Sequence, residues 1–376
     1  MTKRELVATG TVMKRVIMKR AIRYCAVLLA LGSIAAEPAS AGMVQAKGQP
    51  WVIAERRVPL PAAASRELRQ ILGRVHQPNV ESAIAYTPKS KAAWLEIVEN
   101  QRGRGGAYTM AYAREHGVSV EREKVDGVTL YRLTPRKVAA EFRGDLFLYI
   151  HGGAYLFGGG PGGLSEAITI AFRVGIPVLS VDYRTAPRDP FPAALDDVVT
   201  LYRALLKHHP AGSIAMGGTS SGGGLALASI HKFKSLGLPL PAALYAGTPW
   251  SDLTKTGDSY FINEGIDHKL ITYEGTLRAT ARLYADGVDL KNPLLSPVYG
   301  DFSNFPPTYL VTGTRDLFLS NTVRVHRKLR EKGIEADLNV YEGFSHVEYL
   351  VAPDSPEAGE LYRELKIFLS KHLSPL

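Results

Sequence analysis

The chain has 376 residues, of which 45% are hydrophobic and 22% are charged, a balance typical of a globular protein with a large core. The formal net charge at pH 7 is +9, and seven Lys or Arg against two Glu place +5 of it in the first 41 residues, which leaves +4 for the rest. A mild basic excess spread over a large domain does not favour nucleic acid, which needs a clustered basic face. We therefore expect no nucleic-acid partner.

Residues 1–41 have the pattern of an export signal. A basic region ends at Arg23, an apolar stretch covers residues 24–36, and Ala39-Ser40-Ala41 forms an A-x-A cleavage pattern. The apolar stretch is shorter than the about 20 residues that a membrane-spanning helix needs. We expect cleavage before Gly42, a periplasmic or secreted mature protein, and no stable membrane insertion. The alternative is an uncleaved segment that anchors the protein in the inner membrane.

Cys25 is the only cysteine and lies within this apolar stretch. The mature chain would therefore contain no cysteine, which excludes disulfides, thiol catalysis and cysteine metal sites. The chain also has no set of carboxylates and histidines at metal-ligand spacing, so we predict no metal and no cofactor. Because the basic region is long, Met13 and Met18 are alternative translation starts.

The predicted elements change character near residue 116. Residues 42–115 read as an N-terminal linker followed by cap helices, with a helical pattern from Ala63 to His116. Beyond it, apolar or alternating strand segments begin near Val118, Val128, Leu146, Val178, Ser213, Ala242, Thr308 and Ala336. Helical patterns between or after them lie near 193–208, 222–236, 319–332 and 356–372. This alternation predicts an α/β fold, a mostly parallel sheet with helices on both faces, which binds ligands beyond the carboxyl ends of its strands.

The first chemical motif is the segment Gly218-Thr219-Ser220-Ser221-Gly222, between a predicted strand and a predicted helix. It fits the G-x-S-x-G turn that exposes a nucleophilic serine. If Ser221 were the nucleophile, Thr219 would occupy the first glycine position, so the spacing favours Ser220. A glycine-rich turn with incidental serines is the alternative. No Lys follows to complete a phosphate-binding loop.

The partners of a serine nucleophile are a base and an orienting carboxylate, which in this turn type follow in the order Ser, Asp or Glu, His. Asp316 and His346 appear in that order, each in a turn directly after a predicted strand. The other C-terminal histidines lie within or at the ends of helical patterns, and His268 precedes Asp316. We therefore predict the triad Ser220, Asp316 and His346.

A second glycine-rich segment, His151-Gly152-Gly153, directly follows the predicted strand that begins at Leu146. It matches the HGGG-type loop that supplies backbone N–H groups to an oxyanion. We predict that the amides of Gly152, Gly153 and Ser221 stabilise the tetrahedral intermediate. His151 is predicted to shape this loop rather than to act as a base or a metal ligand.

These motifs, together with Val181-Asp-Tyr-Arg-Thr-Ala-Pro187, Pro190-Phe-Pro-Ala-Ala-Leu-Asp-Asp197 and Thr248-Pro-Trp-Ser-Asp-Leu253, resemble the hormone-sensitive-lipase-like family of bacterial esterases over about residues 116–372. The resemblance implies an α/β-hydrolase fold with an eight-stranded core, here in residues 116–376. It also implies a helical cap built from the N-terminal segment and an insertion at about 254–290. Members of the family typically hydrolyse short- to medium-chain acyl esters, and the matched positions give the same triad and oxyanion donors.

The sequence departs from the family pattern at three places. The usual Asp before the nucleophile and Ala after it are Thr219 and Ser221. The usual Glu-His pair before Pro-Phe-Pro is Arg188-Asp189, and Leu317 stands where a Pro often follows the triad Asp. These changes leave the predicted catalytic groups in place and bear on substrate preference.

The predicted function is therefore that of a serine carboxylesterase acting on a small-molecule ester. A lactone hydrolase or an acetyl-ester deacetylase with the same triad is an alternative, and a non-catalytic ligand-binding protein is a further one. Tyr155, Phe157, Tyr260 and Phe261 are candidate walls of the substrate pocket, with ordinary core packing as their alternative role. The oligomeric state is left open by the sequence.

Overall fold

The computed structural model describes Glu55 and residues 57–373. The predicted export signal at residues 1–41 lies outside the described residues. The helices and strands given below all belong to one compact unit of the chain, which begins at Val58.

The centre of this unit is a single sheet of eight strands. They are Val118–Val125 (β1), Val128–Pro135 (β2), Leu146–Ile150 (β3), Val178–Val181 (β4), Ile214–Thr219 (β5), Ala243–Gly247 (β6), Thr308–Gly313 (β7) and Ala336–Tyr341 (β8). Their spatial order is β1-β2-β4-β3-β5-β6-β7-β8. Strands β3 to β8 run parallel to one another, whereas β2 is antiparallel to both of its neighbours. The predicted α/β fold with a mostly parallel sheet is confirmed.

The hairpin between β1 and β2 shows how the sequence sets one of these connections. Val125 pairs with Val128, so only Asp126 and Gly127 form the turn. Both residues have positive φ, 46° and 89°, as the tight turns that match the twist of a hairpin require. Asp and Gly tolerate this conformation, which is why the dipeptide predicts the turn.

Helices cover the sheet and fill the segment before it. They are Arg66–Leu72 (α1), Val80–Ala85 (α2), Lys91–Gln101 (α3), Gly106–Glu115 (α4), Ser165–Val174 (α5), Ala193–Leu205 (α6), Ser221–Ser235 (α7), Ser259–Ile262 (α8), Arg278–Ala285 (α9), Leu319–Glu331 (α10), Glu348–Val351 (α11) and Pro356–His372 (α12). None of the helices in the described part of the chain is long and apolar enough to span a bilayer. The segment at about 254–290, predicted as a cap insertion, contains α8 and α9.

Helix α5 is not among the predicted helices. Its run Ile168-Thr169-Ile170 is β-branched, and such residues favour strands by intrinsic preference. Seven of its ten residues are buried, which shows that tertiary packing rather than local propensity makes this segment helical.

The core lies in two apolar layers, one on each face of the sheet. In β3, Leu146, Leu148 and Ile150 belong to one layer, and Phe147 and Tyr149 belong to the other, because successive strand side chains point to opposite faces. Helices α6, α7 and α10 contribute to the first layer, and α5 and α12 contribute to the second. The central strands are buried on both faces, so ligands reach them only at the strand ends, where the predicted functional residues lie.

Candidate active site

Ser220 stands between the end of β5 and the start of α7. Its backbone has φ 60° and ψ −126°, a conformation that a non-glycine residue adopts only under strain. Gly218 and Gly222 lie against the end of β3, and a Cβ on either would overlap the carbonyl oxygen of Ile150. The amide of Ser220 donates to the carbonyl oxygen of Gly247 at 2.8 Å. The two glycines thus allow the sharp turn that directs the Ser220 hydroxyl away from the sheet.

His346 follows β8, and its side chain lies beside Ser220 at the edge of the sheet where the parallel strands end. Its Nε2 lies 2.9 Å from Ser220 Oγ, although the two residues are 126 positions apart in the chain. The imidazole is nearly completely buried, and the ring of Phe318 packs edge-on against it with 4.8 Å between the ring centres. Packing therefore fixes the ring in the plane that the hydrogen bond requires.

Asp316 completes the hydrogen-bonded chain. Its Oδ1 lies 3.1 Å from His346 Nδ1, and its carboxylate is fully buried. Thr312 Oγ1 donates to Oδ2 at 3.0 Å, and the amide of Phe318 donates to Oδ1 at 2.8 Å. A proton on Nδ1 that is shared with Asp316 leaves Nε2 free to accept the Ser220 proton. The structure brings the three predicted triad residues together in one line.

Of the predicted oxyanion donors, Gly152 lies against Ser220 and Ser221 directly follows it. Gly152 lies so close that a Cβ there would be 2.8 Å from the carbonyl oxygen of Thr219 and 3.3 Å from Ser220 Cβ. Gly153 has φ 119°, and a Cβ there would overlap the backbone of Phe157. Ser221 is the first residue of α7, where amides lack acceptors within the helix. Gly152 and Gly153 therefore require glycine, because a Cβ at either position would overlap neighbouring backbone atoms.

His151 is held as part of the loop rather than as a base. Its ring stacks on Tyr183 with 4.0 Å between ring centres, and Nδ1 lies 2.8 Å from the carbonyl oxygen of Gly152. The hydroxyl of Tyr183 donates to the carbonyl oxygen of His151 at 2.9 Å. Burial lowers the pKa of His151, which keeps the imidazole neutral.

The four candidate pocket residues lie in different environments. Tyr155 is buried and stacks on Tyr284, and Tyr260 is buried with its hydroxyl donating to the carbonyl oxygen of Asp252. Phe157 is partly buried and lines a cavity of about 200 Å³ together with Leu156 and Gly158, and Phe261 is 60% exposed. Tyr155 and Tyr260 thus pack in the core, while a contact of any of the four with substrate stays a prediction.

Arg188, one of the departures from the family pattern, forms an ion pair with a helix of the predicted cap. Its guanidinium pairs with Glu99 on α3, and Arg102 just after α3 pairs with Asp182 at 3.3 Å. Both partners of the Arg188–Glu99 pair are more than half exposed, so this pair contributes little to stability, whereas Asp182 is nearly buried. The geometric effect of the two pairs is to hold α3 against the segment that follows β4.

Thr219, another position that departs from the family pattern, belongs to a buried hydrogen-bonded cluster that the sequence does not predict. Its Oγ1 donates to Glu166 Oε1 at 2.7 Å and lies 2.8 Å from the hydroxyl of Tyr349. Tyr149 and Tyr245 also donate to Glu166, at 2.7 and 2.9 Å. Thr219, the residue before Ser220, is thereby tied to α5 and to α11, which follows His346. The one sequence signal that could have indicated this cluster is Thr219 itself, which stands where the family pattern usually has Asp. The carboxylate that Thr219 contacts is that of Glu166 on α5.

Glu166 is fully buried, and this burial raises its pKa above the ordinary value near 4.5. Three hydroxyl donors partly offset that rise because they favour the charged form.

No group of three or more His, Cys, Asp or Glu side chains within residues 57–373 is placed to hold a metal ion.

The fold and this site together define a class. An eight-stranded, mostly parallel sheet with a strained serine between its fifth strand and a glycine-rich helix start is the arrangement of an α/β-hydrolase. A family model described as "alpha/beta hydrolase fold" matches residues 147–350. The chain belongs to this family.

Individual relatives narrow the class further. The crystal structure of the esterase E25 is 44% identical, with a TM-score of 0.84, covering 86% of this chain and 99% of that chain. An esterase from the bacterial hormone-sensitive lipase family is 30% identical, with a TM-score of 0.70, covering 83% and 100%. An acetyl-hydrolase of Streptomyces hygroscopicus is 32% identical over 215 residues, 57% of this chain and 71% of that protein. The protein is a hormone-sensitive-lipase-like carboxylic ester hydrolase.

The buried Glu166 gives a pH-dependent expectation for stability. Because its pKa is raised in the folded protein, the unfolded chain releases this proton first as the pH rises above about 4.5, which disfavours the folded state. Glu166→Gln cannot ionise. We therefore expect the free energy of unfolding of the variant, relative to that of wild type, to increase from pH 5 to pH 8, so that the variant becomes relatively more stable. Urea unfolding at several pH values measures this difference.

The exposed Glu121 on β1 provides the matched control, because the same Glu→Gln change is made there outside the buried cluster. The relative free energy of unfolding of this variant is expected to depend much less on pH than that of Glu166→Gln. A Glu166→Gln difference that stays constant, or that turns against the variant as the pH rises, would contradict the assignment of a raised pKa.

Proposed function

We propose that this protein is a serine carboxylesterase that hydrolyses short- to medium-chain acyl esters through Ser220, His346 and Asp316 and a covalent acyl-enzyme. The observation that carries the proposal is the hydrogen-bonded line from Ser220 Oγ to His346 Nε2, at 2.9 Å, and from His346 Nδ1 to Asp316 Oδ1, at 3.1 Å. Ser220 is itself partly accessible, whereas its two partners are buried.

The first half of the reaction forms the acyl-enzyme. Ser220 Oγ attacks the ester carbonyl carbon while His346 Nε2 accepts the hydroxyl proton. Asp316 keeps the Nδ1–H tautomer and stabilises the imidazolium that forms. The developing oxyanion accepts hydrogen bonds from the amides of Gly152, Gly153 and Ser221, each of which typically contributes about 3 kcal/mol of transition-state stabilisation.

The second half releases the acid. His346 gives its proton to the leaving alkoxide, and the alcohol departs. Water then attacks the acyl carbon while His346 Nε2 accepts a water proton. The second tetrahedral intermediate collapses to the carboxylic acid as that proton returns to Ser220. The ester bond is broken and water is consumed, with no net change at the enzyme.

The acyl group is proposed to be small. The relative from Streptomyces hygroscopicus is an acetyl-hydrolase, which supports acetyl and other short acyl groups. An acetyl-ester deacetylase with the same three residues is therefore the second candidate.

Replacing the proposed nucleophile tests the mechanism. We expect Ser220→Ala to lower kcat/KM for p-nitrophenyl acetate and butyrate by at least about 1,000-fold, because no covalent intermediate can form. The wild type should hydrolyse these two esters much faster than p-nitrophenyl palmitate. Assays of the purified proteins at equal concentration measure both expectations.

Ser221→Ala is the matched control for this experiment. It removes the neighbouring hydroxyl but keeps the backbone N–H that is proposed to contact the oxyanion, so most activity should remain. Equal rates for wild type and Ser220→Ala would end the proposal. Loss of activity in Ser221→Ala alone would show that Ser221, rather than Ser220, is the nucleophile. A preference for palmitate would leave the mechanism but contradict the short-acyl assignment.

We also propose that the protein is exported, with cleavage between Ala41 and Gly42. The support is the order of basic region, short apolar stretch and A-x-A pattern in residues 1–41. N-terminal sequencing of the protein purified from periplasm or medium should begin at Gly42. A cell-associated protein that retains residues 1–41 would instead support the uncleaved anchor.

A further inference from the structure

Asp267 is a buried carboxylate that the proposed mechanism leaves unused. It lies in the segment between α8 and α9, and its side chain is fully buried. Its Oδ2 accepts a hydrogen bond from the amide of Leu317 at 2.9 Å. Its Oδ1 accepts from the amides of Lys269 and Leu270 at 2.9 and 3.2 Å and lies 3.4 Å from the amide of His346. One side chain therefore contacts the backbone of both loops that carry the acid and the base.

These contacts constrain the triad in a specific way. Leu317 directly follows Asp316, and the other amide belongs to His346 itself. The neighbouring Asn263 adds a second tie, since its Nδ2 donates to the carbonyl oxygen of Asp316 at 2.8 Å. The loops after β7 and β8 are thus fixed relative to each other through a third segment, in addition to the direct bond from His346 to Asp316.

Charge gives Asp267 a second effect. Burial and the adjacent Asp316 raise the pKa of Asp267, while His346 and the backbone amides of Leu317 and Lys269 oppose that rise. Amide donors on both of its oxygens favour the ionised carboxylate. Above the raised pKa of Asp267, an imidazolium formed at His346 during the reaction would lie near two buried carboxylates, where electrostatic attraction is stronger than in water.

Two other acids of this region have partners of their own. His268 Nε2 lies 2.6 Å from Glu348 Oε2, which also accepts from the amide of Ser345. Glu264 contacts Thr272 and Lys255. Asp267 contacts the backbone amides of Leu317 and His346, and the charges that act on it are those of Asp316 and His346.

We propose that Asp267 is a positioning residue of the esterase reaction, which sets the placement of Asp316 relative to His346 and stabilises the imidazolium by its charge. The proposal rests on the proposed triad. On this proposal, the segment between α8 and α9 positions the acid and the base of the triad.

Asp267→Asn tests it, because the change keeps the side-chain size but removes the charge and turns one acceptor into a donor. We expect kcat for p-nitrophenyl butyrate to fall by about 10- to 100-fold, as a misplacement of reacting groups by about 1 Å produces. KM should change little. The acid limb of the kcat/KM profile should move to lower pH, because the imidazolium loses a stabilising charge. A residue that served only stability would not move this limb.

Glu264→Gln is the matched control. It neutralises an acid of the same segment whose partners are Lys255 and Thr272, so kcat and the pH profile should stay as in wild type. Circular dichroism and thermal unfolding measure the folded fraction of every variant. Asp267→Ser is the second neutral variant, for use if the Asn protein does not fold, since its hydroxyl can still accept from an amide.

The outcomes separate this inference from the proposed function. If Ser220→Ala retains the wild-type rate, the proposed triad itself fails. If Ser220→Ala is inactive while a folded neutral Asp267 variant keeps wild-type kcat and acid limb, only the role of Asp267 is overturned. Failure of both neutral variants to fold would also overturn it, because Asp267 would then be a requirement of the fold rather than of the reaction.

Discussion

The hydrogen bond between Ser220 Oγ and His346 Nε2 is the interaction on which the rest of the site depends. It joins two positions 126 residues apart, so it can form only when β5 and β8 lie in one sheet and both end at the same edge. The strained backbone of Ser220 brings the hydroxyl out from that edge. Gly218 and Gly222 allow that turn because a side chain at either would overlap the end of β3.

Buried carboxylates surround this bond on several sides. Asp316 contacts the imidazole, Asp267 contacts the backbone of the same two loops, and Glu166 holds Thr219 immediately before Ser220. They come from the loop after β7, from the segment between α8 and α9, and from α5. Carboxylates are rarely fully buried unless they are paired or hydrogen-bonded, and each of these accepts at least two hydrogen bonds. The site therefore draws its rigidity from hydrogen-bonded acids on separate elements.

The sequence predicts the parts of the structure that are encoded locally. The eight strands follow from apolar segments and turn residues, and the family resemblance supplies their expected number. Ser220 follows from glycine spacing, and Asp316 and His346 follow from chain order and from their places after strands. The strand patterns and the glycine spacing each lie within a few residues, and the order of Ser220, Asp316 and His346 can be read from a single sequence. One chain is therefore enough to predict these features.

The features that the sequence does not predict depend on long-range packing. Helix α5 has β-branched residues that favour strands and becomes helical through burial against the sheet. Glu166 and Asp267 have no motif around them, and their partners are distant in the chain. Tyr155 and Tyr260 are aromatic residues near motifs, but the structure packs both in the core. Proximity in sequence to a motif does not determine which way a side chain points.

The most direct test of the central claim is to locate the reactive serine by labelling. Folded protein is treated with a fluorophosphonate, digested, and examined by tandem mass spectrometry, which distinguishes adjacent residues. An activated serine hydrolase carries one adduct, on Ser220, and loses this reactivity when it is unfolded before treatment. An adduct on Ser221, or the absence of any adduct on the folded protein, would contradict the assignment of Ser220 as the nucleophile.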